Sequence, residues 1–316
     1  MFHHLVFDGV SDGSLGIGLD MVGAAGALGQ PVRQRVLSWD GKPVRSANGR
    51  SVCVDGVFRS QRLREGHVVV IPGITLVTAA QMDAAFSRAD ICSVAPHLQR
   101  AVGRNVTVAA SCAGTYVLAR AGVLDDRTAT TTWWMQGDFA ERFPRIRLQV
   151  DRMVVCEERV WTAGAAYAHA DLMLALLGRR FGDRLAHAVA KTLLLDGRRS
   201  QVPYMVGGVS QSADPVVRKL ERFVRDNIDR QVTIGELAKV AGMSPRTLSR
   251  RLQRQLQTTP LRFVQRIRIR RAIRLLEVTT HSIERIAAEV GYADAAAFRR
   301  NFRREVGRSP TAHRRS

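Results

Sequence analysis

The stretch Ile234-Gly-Glu-Leu-Ala-Lys-Val-Ala-Gly-Met243 occurs twice, with variation, in the last third of this 316-residue chain. It returns as Ile283-Glu-Arg-Ile-Ala-Ala-Glu-Val-Gly-Tyr292, with apolar residues and the glycine at matching positions. After one inserted residue the match continues, because Leu248–Arg254 corresponds to Phe298–Arg304. A pattern of this length rarely recurs by chance, so we infer a duplicated structural unit.

Each copy has the sequence pattern of two short helices joined by a tight turn. Thr233 and Glu236 have the spacing of a capping box, which predicts a helix start. Gly242 then permits the left-handed backbone of a tight turn. Ser244 and Pro245 suit the cap and first turn of the next helix. The pattern is typical of a helix-turn-helix.

The second helix of each copy is predicted to bury one face and expose the other. Leu248 and Leu252 form the buried i, i+4 pair of the first copy, and Phe298 and Phe302 that of the second, where Asp294 is the expected cap. The residues predicted to point outward are Arg246, Ser249, Arg250 and Gln253 in the first copy and Arg299, Arg300 and Arg303 in the second. A helix of this kind fits the DNA major groove, where arginine pairs bidentately with guanine.

The segment Pro260–Val278 between the copies alternates apolar residues with arginines at helical spacing and is predicted to be one long helix. About 19 residues at 1.5 Å each span roughly 28 Å. That length would place the two outward-facing helices close to one turn of DNA apart, about 34 Å. We therefore expect contacts to two adjacent major-groove segments on one side of the duplex.

The charge of the chain also favours nucleic acid. The formal net charge is +20, most of the excess lies in the last third, and the basic residues are 44 arginines and 4 lysines. Arginine suits bidentate contacts to phosphates and base edges. The alternatives are a merely solvated arginine face and non-specific RNA binding, but the duplicated capping pattern and the lack of an aromatic stacking platform favour double-stranded DNA.

The region before the repeat has a different pattern, typical of an α/β domain with a largely parallel sheet. The predicted strands are His3–Phe7, Val32–Ser38, Val68–Pro72 and Val106–Ala110, with helical segments such as Leu19–Leu28 and Ala79–Ala89 between them. Residues 206–215 are rich in turn-forming residues and are predicted to be a linker. The predicted domains are 1–205 and 216–316, the latter all-helical, with helix-turn-helix units at about 233–256 and 282–305.

One residue of the first domain has the sequence context of a nucleophile elbow. The segment Val106–Ala119 is expected to run as strand, sharp turn and helix, with Cys112 at the turn. A thiol at a helix start can act as a nucleophile, as a redox sensor or as part of an anion-binding pocket, and a single cysteine is often simply a small buried hydrophobe. No base is assigned to Cys112, although His97, His169 and His187 are candidates if the fold brings them close.

Several other classes of site and protein are not supported. The four cysteines are widely spaced and form no disulfide or zinc pattern, and no apolar run is long enough to cross a membrane. The glycine-rich run from Gly13 to Gly18 lacks the third glycine of a dinucleotide loop, and His3-His4 has no further metal ligands nearby. We expect a soluble, cytoplasmic protein without cofactor or metal.

The C-terminal residues resemble a known family. The segment from about Pro215 to Arg315, ending in Gly307-Arg-Ser-Pro310, resembles the AraC/XylS-type DNA-binding domain. The resemblance implies base contacts from Arg246, Ser249 and Arg250 in the first unit. For the second unit it implies contacts from Ala295, Ala296, Arg299 and Arg300. The two alanines are shorter than the residues usual there, so we expect the second unit to contact mainly phosphate.

The N-terminal residues resemble the DJ-1/PfpI-like sensor domain of GlxA-type AraC regulators, through Ala121–Trp133, Phe143-Pro144, Trp161–Gly164 and Asp171-Leu172. This implies a flavodoxin-like sandwich, related to class I glutamine amidotransferases, that senses a small molecule and dimerises. The implied pocket contains Cys112, Ala113, Gly73, Ser14 and Trp133. Ala113 stands where many superfamily enzymes have histidine, and Ser14 where they have an acid, although Asp12 and Asp20 lie near that position. The resemblance therefore implies an incomplete catalytic set.

The sequence therefore predicts an α/β sensor domain followed by an all-α double helix-turn-helix domain. The predicted function is sequence-specific transcriptional regulation, controlled by an unidentified small-molecule effector. Double-stranded DNA, a second copy of the chain and RNA polymerase are the candidate partners, and no membrane is expected. The alternative is a Cys112-dependent hydrolase or glyoxalase-like enzyme that the basic domain localises to DNA.

Overall fold

A computed structural model of the chain describes residues 1–76, 79–198, 200–201, 204, 215–256 and 258–314. These residues form two compact units. Met1–Trp133 and Arg142–Arg198 make up an α/β unit, and Trp134–Glu141 joins the described residues beyond 198 in a helical unit. Residues 206–214 of the predicted linker lie outside the described residues, and Pro215 begins a helix.

The α/β unit is built on one seven-stranded sheet in the order β10-β11-β7-β6-β1-β2-β5. These strands are β1 Phe2–Leu5, β2 Gln34–Ser38, β5 Gly56–Val57, β6 Val68–Ile71, β7 Thr107–Ser111, β10 Val154–Glu157 and β11 Val160–Ala163. Only β10 and β11 pair antiparallel, and every other neighbouring pair is parallel. Two small ribbons pair β3 Val44–Arg45 with β4 Ser51–Val52, and β8 Thr128–Ala129 with β9 Arg147–Leu148.

The predicted parallel sheet is confirmed, with strand ends displaced by one or two residues. The predicted helix Leu19–Leu28 is part of a longer helix, α1 Asp12–Ala27, whose first turn Ser11 caps. The predicted helical segment Ala79–Ala89 is confirmed over most of its length as α2 Ala79–Phe86. The helix ends three residues earlier than predicted, and the backbone at Arg88 is extended before α3 Ala89–Gly103 begins.

The remaining helices of the α/β unit are α4 Gly114–Arg120, α6 Ala168–Phe181 and α7 Asp183–Thr192, whereas α5 Gln136–Arg142 lies almost wholly in the segment that joins the helical unit. Side chains from α1, α6 and α7 pack on the central strands in an apolar core that includes Met21, Leu172 and Val189. Central strands are buried on both sides, as in β6, where all four residues are buried. The carboxyl ends of β1, β6 and β7 therefore meet at one edge of a rigid sheet.

The helical unit contains α8 Pro215–Asp226, α9 Ile234–Ala241, α10 Pro245–Leu256, α11 Pro260–Val278, α12 Ile283–Glu289, α13 Ala295–Val306 and α14 Pro310–Arg314. The predicted long helix is confirmed as α11, with 19 residues and a cap from Thr259 to the Arg262 amide. No strand is present among the described residues of this unit beyond 214, in agreement with the all-helical prediction.

The helical unit has two apolar cores that share α11. The first core combines residues of α8, α9 and α10 with Phe263, Val264 and Ile267 from the first half of α11. The second combines residues of α12 and α13 with Ile269 to Leu276 from its second half. Each helix-turn-helix is therefore folded around its own core, and one helix holds both.

Candidate nucleic-acid interface and sensor pocket

The first helix-turn-helix is held by the predicted local interactions. The Thr233 hydroxyl accepts a hydrogen bond from the Glu236 amide at 3.2 Å, and the Glu236 carboxylate accepts one from the Thr233 amide at 2.8 Å. These reciprocal bonds form the capping box. Gly242 ends α9 with a left-handed backbone, φ +67°. The Ser244 hydroxyl then caps α10 by accepting from the Thr247 amide.

The helix α10 exposes the residues predicted to contact DNA. Leu248 and Leu252 are fully buried, which fixes the opposite face toward solvent. Arg246 and Arg250 are exposed and form no ion pair with any residue that the structure describes. Gln253 is also exposed, whereas Ser249 is half-buried and its hydroxyl donates to the Pro245 carbonyl at 2.9 Å. The two arginines are thus available to a ligand.

The second helix-turn-helix has the same frame but different surface chemistry. Asp294 caps α13 by accepting from the amides of Ala296 and Ala297 at 2.8 and 2.9 Å, as predicted. Phe298 and Phe302 are fully buried and their rings pack edge to face, with centroids 5.6 Å apart. The predicted contacts Ala295 and Ala296 lie in the first turn of this helix, half-buried and exposed respectively.

The arginines of α13 have acidic neighbours within the protein. Arg299 pairs with Glu284 of α12, and Arg300 lies 3.9 Å from Asp294. Arg303 is exposed. Surface pairs of this kind contribute about 0–1 kcal/mol, so a phosphate can displace the acidic partner at little cost. Arg299 and Arg300 therefore each have an acidic neighbour within the protein, whereas the two arginines of α10 have none among the described residues.

In the α/β unit, Cys112 has the strained geometry of an elbow. It lies between β7 and α4 with a left-handed backbone, φ +52°, which is unusual for a residue other than glycine. Its amide donates to the carbonyls of Ala163 and Gly164, and its own carbonyl accepts from the hydroxyls of Thr115 and Thr131. The predicted strand-turn-helix at Cys112 is confirmed.

The chemistry at the Cys112 thiol opposes activation. The residue is 4 % exposed, and burial raises the pKa of the thiol to about 11. The amides of Ala113 and Ala166 lower that pKa by less than burial raises it. Thr132 also lowers it slightly, although its buried hydroxyl makes no hydrogen bond of normal length. A thiol with so high a pKa is protonated at neutral pH and is a poor nucleophile.

The residues of the predicted pocket are brought together in part. A Cβ atom at Gly73 would lie 2.9 Å from the Ser14 hydroxyl and 3.2 Å from Cys112 Cβ, so both side chains lie close to Gly73 and leave no room for a larger residue there. The Ser14 hydroxyl donates to the Ala166 carbonyl at 2.7 Å. Ala113 is buried beside Cys112, whereas Trp133 is half-buried at the start of a short 3-10 helix. The side chains around Cys112 are tightly packed.

The three candidate histidines have different places. His169 is fully buried and lies 2.9 Å from the Ser111 hydroxyl, one residue before Cys112, and burial lowers its pKa to about 3. His97 packs edge-on against Trp39, and His187 lies on α7. No histidine is among the groups that shift the pKa of Cys112.

His4, which the sequence analysis considered only as a metal ligand, lies close to His169. His4 of β1 is fully buried and lies 3.1 Å from the Gln34 side chain, and burial lowers its pKa to about 4. A Cβ atom at Gly18 would lie 2.8 Å from His169 Nε2 and 3.3 Å from His4 Cε1, so the glycine of α1 makes room for both rings. Sequence pattern alone could not reveal this approach of α1 to α6.

An open groove of about 480 Å³ lies elsewhere on the α/β unit. Its walls come from the loop after β1, the end of β2 with the loop that follows, and the start of α3, and they include Asp8, Trp39, Lys42, Arg88 and Asp90. Arg88 is held by Asp90 in a bidentate pair and by Asp8 at 3.5 Å. No sequence motif predicted this groove, because its residues come from three separate parts of the chain.

The described residues contain no group of three or more histidine, cysteine or acidic side chains placed to hold a metal ion. In the same residues, no helix is both long enough and apolar enough to span a bilayer. The glycine-rich run Gly13–Gly18 lies inside α1 and forms no phosphate-binding loop.

Comparison with known proteins matches both parts of the chain. Residues 5–179 match the DJ-1/PfpI family model, and residues 237–316 match a helix-turn-helix domain model. The HTH-type transcriptional regulator CdhR of Pseudomonas aeruginosa is 29% identical over 290 residues, covering 89% of this chain and 81% of CdhR. The regulator GlxA of Rhizobium meliloti is 29% identical over 225 residues, covering 69% and 68%.

Solved structures agree on the fold of the first part. A ThiJ/PfpI family protein from Pseudomonas syringae superposes with a TM-score of 0.53 at 20% identity, covering 77% of this chain and 90% of that one. Drosophila melanogaster DJ-1beta gives 0.50 at 18% identity, covering 62% and 97%. With the family model matching more than half of the sequence, the chain belongs to the DJ-1/PfpI family, in the branch of GlxA-type AraC regulators that carry a C-terminal helix-turn-helix domain and regulate transcription by binding DNA.

Proposed function

We propose that the two helix-turn-helix units bind adjacent major-groove segments of one operator, under the control of a small molecule bound by the α/β unit. The observation that carries this proposal is the pair of capped helices α10 and α13. Each buries an apolar pair and exposes arginines, and α11 joins the two units. At 1.5 Å per residue α11 spans roughly 28 Å, close to one DNA turn of about 34 Å.

We assign the recognition of base edges mainly to the first helix-turn-helix unit. Arg246 and Arg250 are exposed without ion-pair partners among the described residues, and Gln253 adds an amide on the same helix. Guanidinium and amide groups read base edges bidentately. Arg299, Arg300 and Arg303 of the second unit are assigned to phosphates, since its first turn offers only the methyl groups of Ala295 and Ala296.

Regulation is favoured over catalysis by the state of Cys112. A nucleophilic thiol needs a base or a depressed pKa, whereas burial raises the pKa of this thiol to about 11 and Ser14 replaces the acid of the family's enzymes. We assign the α/β unit to effector binding and homodimerisation, and the protein to the cytoplasm, where its DNA lies. RNA polymerase is the expected further partner if the protein activates transcription.

The effector is expected to bind at one of two places. The site that the family resemblance implies consists of Cys112, Ala113, Gly73, Ser14 and Trp133. Because those side chains are tightly packed, binding there requires them to move apart. The 480 Å³ groove beside Trp39 is already open and has the size of a small-molecule site.

A salt titration tests the DNA-binding proposal. The full chain first selects duplexes from a random-sequence pool, and its affinity is measured from 50 to 200 mM salt on a selected duplex and a shuffled one. We expect log K to fall by about 0.9 per phosphate contacted for both, with the selected duplex tighter by at least about 10³-fold. Equal affinity for the two duplexes would remove the sequence-specific proposal.

Thiol labelling tests the choice between regulator and enzyme. With iodoacetamide at pH 7, the exposed Cys53 and Cys156 should be alkylated first and Cys112 last, because its thiol is buried and protonated. A Cys112→Ala chain should keep its DNA affinity. Preferential alkylation of Cys112 at neutral pH would instead favour the hydrolase or glyoxalase-like alternative.

A further inference from the structure

One buried arginine lies at the boundary between the two apolar cores of the helical unit. Arg268 is in the middle of α11, between Ile267 of the first core and Ile269 of the second. It is 8 % exposed. A buried guanidinium is costly unless its contacts compensate for lost hydration, so the contacts that it makes are expected to be specific.

Arg268 contacts both the loop that precedes the first helix-turn-helix and the turn of the second. Its Nη2 donates to the Arg230 carbonyl at 2.6 Å, in the loop that leads into the first unit. Its Cζ lies 5.7 Å from the ring centre of Tyr292, in the turn of the second unit. A planar guanidinium can donate in its plane while its face meets an aromatic ring, which an ammonium cannot do in the same way.

The contact to Arg230 extends into the capping box of the first unit. The Arg230 side chain donates to Glu236 at 2.7 Å, and Glu236 closes the capping box with Thr233. The carbonyl that holds Arg268 therefore belongs to a loop that is already tied to the start of α9. The hydrogen bond from Arg268 to this loop should therefore resist movement of the second unit relative to the first.

The turn of the second unit also lies directly against the loop that joins α8 to the first unit. Gly291 has φ +78°, and a Cβ atom there would overlap the Ile228 carbonyl and lie 2.7 Å from Arg268 Nη2. The equivalent glycine of the first unit, Gly242, also has a positive φ, but a Cβ atom there meets no atom within 4 Å. Gly291 is thus required for close approach as well as for the turn.

We propose that Arg268 and Gly291 are positioning residues that lock the two helix-turn-helix units into one rigid body and thereby fix the spacing of the DNA segments that the protein recognises. This rests on the proposed function only for its second half, the spacing on DNA. The rigidity is a property of the protein alone. The two halves can therefore be tested separately.

The first experiment measures rigidity without DNA. Lys239 and Ala288 occupy equivalent exposed positions on α9 and α12. In the full chain, the four native cysteines Cys53, Cys92, Cys112 and Cys156 are first replaced by alanine. Spin labels are then attached at Lys239→Cys and Ala288→Cys. Pulsed electron paramagnetic resonance gives the distribution of distances between the two labels. We expect one narrow distance that broadens in Arg268→Lys and in Gly291→Ala.

Matched controls separate positioning from general damage. Gly242→Ala imposes the same backbone strain as Gly291→Ala without reaching the other unit, and Arg271→Lys makes the same exchange at an exposed position of α11. Both controls should keep the narrow distance. If Gly291→Ala loses helicity by circular dichroism, Arg268→Lys decides the test. An unchanged distribution in folded Arg268→Lys would overturn the proposal.

The second experiment measures spacing on DNA. A duplex selected by the wild-type chain is compared with versions carrying one to five extra base pairs between the two contacted segments. For a rigid pair of units the insertion should cost on the order of 10²-fold in affinity, since the second contact no longer forms. In Arg268→Lys we expect about tenfold weaker binding at the native spacing and a smaller insertion penalty. If the insertion penalty in Arg268→Lys were as large as in the wild type, the proposal that Arg268 fixes the spacing on DNA would be overturned. If the wild-type chain showed no sequence-selective binding at all, the proposed function would be overturned instead.

Discussion

The two helix-turn-helix units agree in their inward-facing residues and differ in their outward-facing ones. The inward pair is Leu248 and Leu252 in the first unit and Phe298 and Phe302 in the second, all fully buried. The outward positions pair Arg246 with Ala296, Ser249 with Arg299, Arg250 with Arg300, and Gln253 with Arg303. The inward-facing residues are large and apolar in both units because each core must be filled. The outward-facing residues fill no core, so they can differ between the units and serve different contacts.

The difference in surface chemistry supports the proposal that the two units contact different parts of the DNA. The first unit offers side chains of three kinds, guanidinium, amide and hydroxyl, and its arginines Arg246 and Arg250 have no ion-pair partner among the described residues. The second offers three arginines, of which Arg299 and Arg300 have acidic neighbours. Varied donors and acceptors suit base readout, and repeated positive charge suits the phosphate backbone.

The largest expected effect concerns the two cores. Phe298→Ala should lower the free energy of unfolding of the helical unit by about 3–5 kcal/mol, and Leu248→Ala by about 2–5 kcal/mol, because each leaves a cavity in a fully packed site. Denaturant unfolding followed by circular dichroism measures both, with the exposed Arg271→Ala as control. A loss below about 1 kcal/mol in either variant would contradict the two-core description.

The second-largest expected effect concerns two equivalent arginines, Arg250 of α10 and Arg300 of α13. Arg250→Ala should weaken binding to a selected duplex by about 1–3 kcal/mol and relax the preference for one base. Arg300→Ala should weaken selected and shuffled duplexes alike and reduce the salt slope by about 0.9, the contribution of one phosphate. Affinity measurements on single-base variants separate the two outcomes. Equal loss of base preference in both variants would break the comparison.

A smaller effect is expected from the acidic partner of Arg299. Glu284→Gln removes a negative charge close to the DNA-facing helix and frees Arg299, so DNA affinity should rise, by at most about 1 kcal/mol for a surface pair. Glu289→Gln is the matched control, because it removes the same charge from the same helix but belongs to the pair with Arg285. A gain in the control as large as in Glu284→Gln would show that only net charge matters.

The smallest effect is a difference in acid sensitivity. Hydrogen bonds from the Thr233 amide and the Arg230 side chain lower the pKa of Glu236 to about 2, from its usual 4.5. A depressed pKa means that the capping box contributes fully above about pH 4.5 and is lost as pH falls toward 2. Thermal unfolding between pH 6 and 3 should show a smaller loss of stability in Glu236→Gln than in the wild type. Parallel pH profiles would refute the assignment.

Local sequence patterns predicted much of this molecule. The capping box at Thr233, the turn at Gly242, the cap at Asp294 and the helix α11 follow from residues within one or two turns of each other. Such interactions are decided by spacing along the chain, so a pattern is enough to find them. The elbow at Cys112 was found in the same way, since a strand followed by a turn and a helix is a local feature.

Contacts between distant residues could not be predicted in this way. The burial that raises the pKa of the Cys112 thiol, the approach of Gly18 to His169, and the open groove beside Trp39 all depend on how separate elements meet. The pairing of Arg299 with Glu284 is another case, because both residues read equally well as solvent-exposed. Charge and exposure of a single residue do not determine its partner.

The sequence by itself determined that the chain has a sensor-like α/β part and two helix-turn-helix units with capped, arginine-bearing helices, since periodicity and capping are properties of neighbouring residues. Only the tertiary structure decided that the thiol is protonated and enclosed, and that Arg268 lies between Arg230 and Tyr292. The physical reason is that desolvation and directional contacts depend on distances in space, which residues far apart in the chain acquire only when the protein folds.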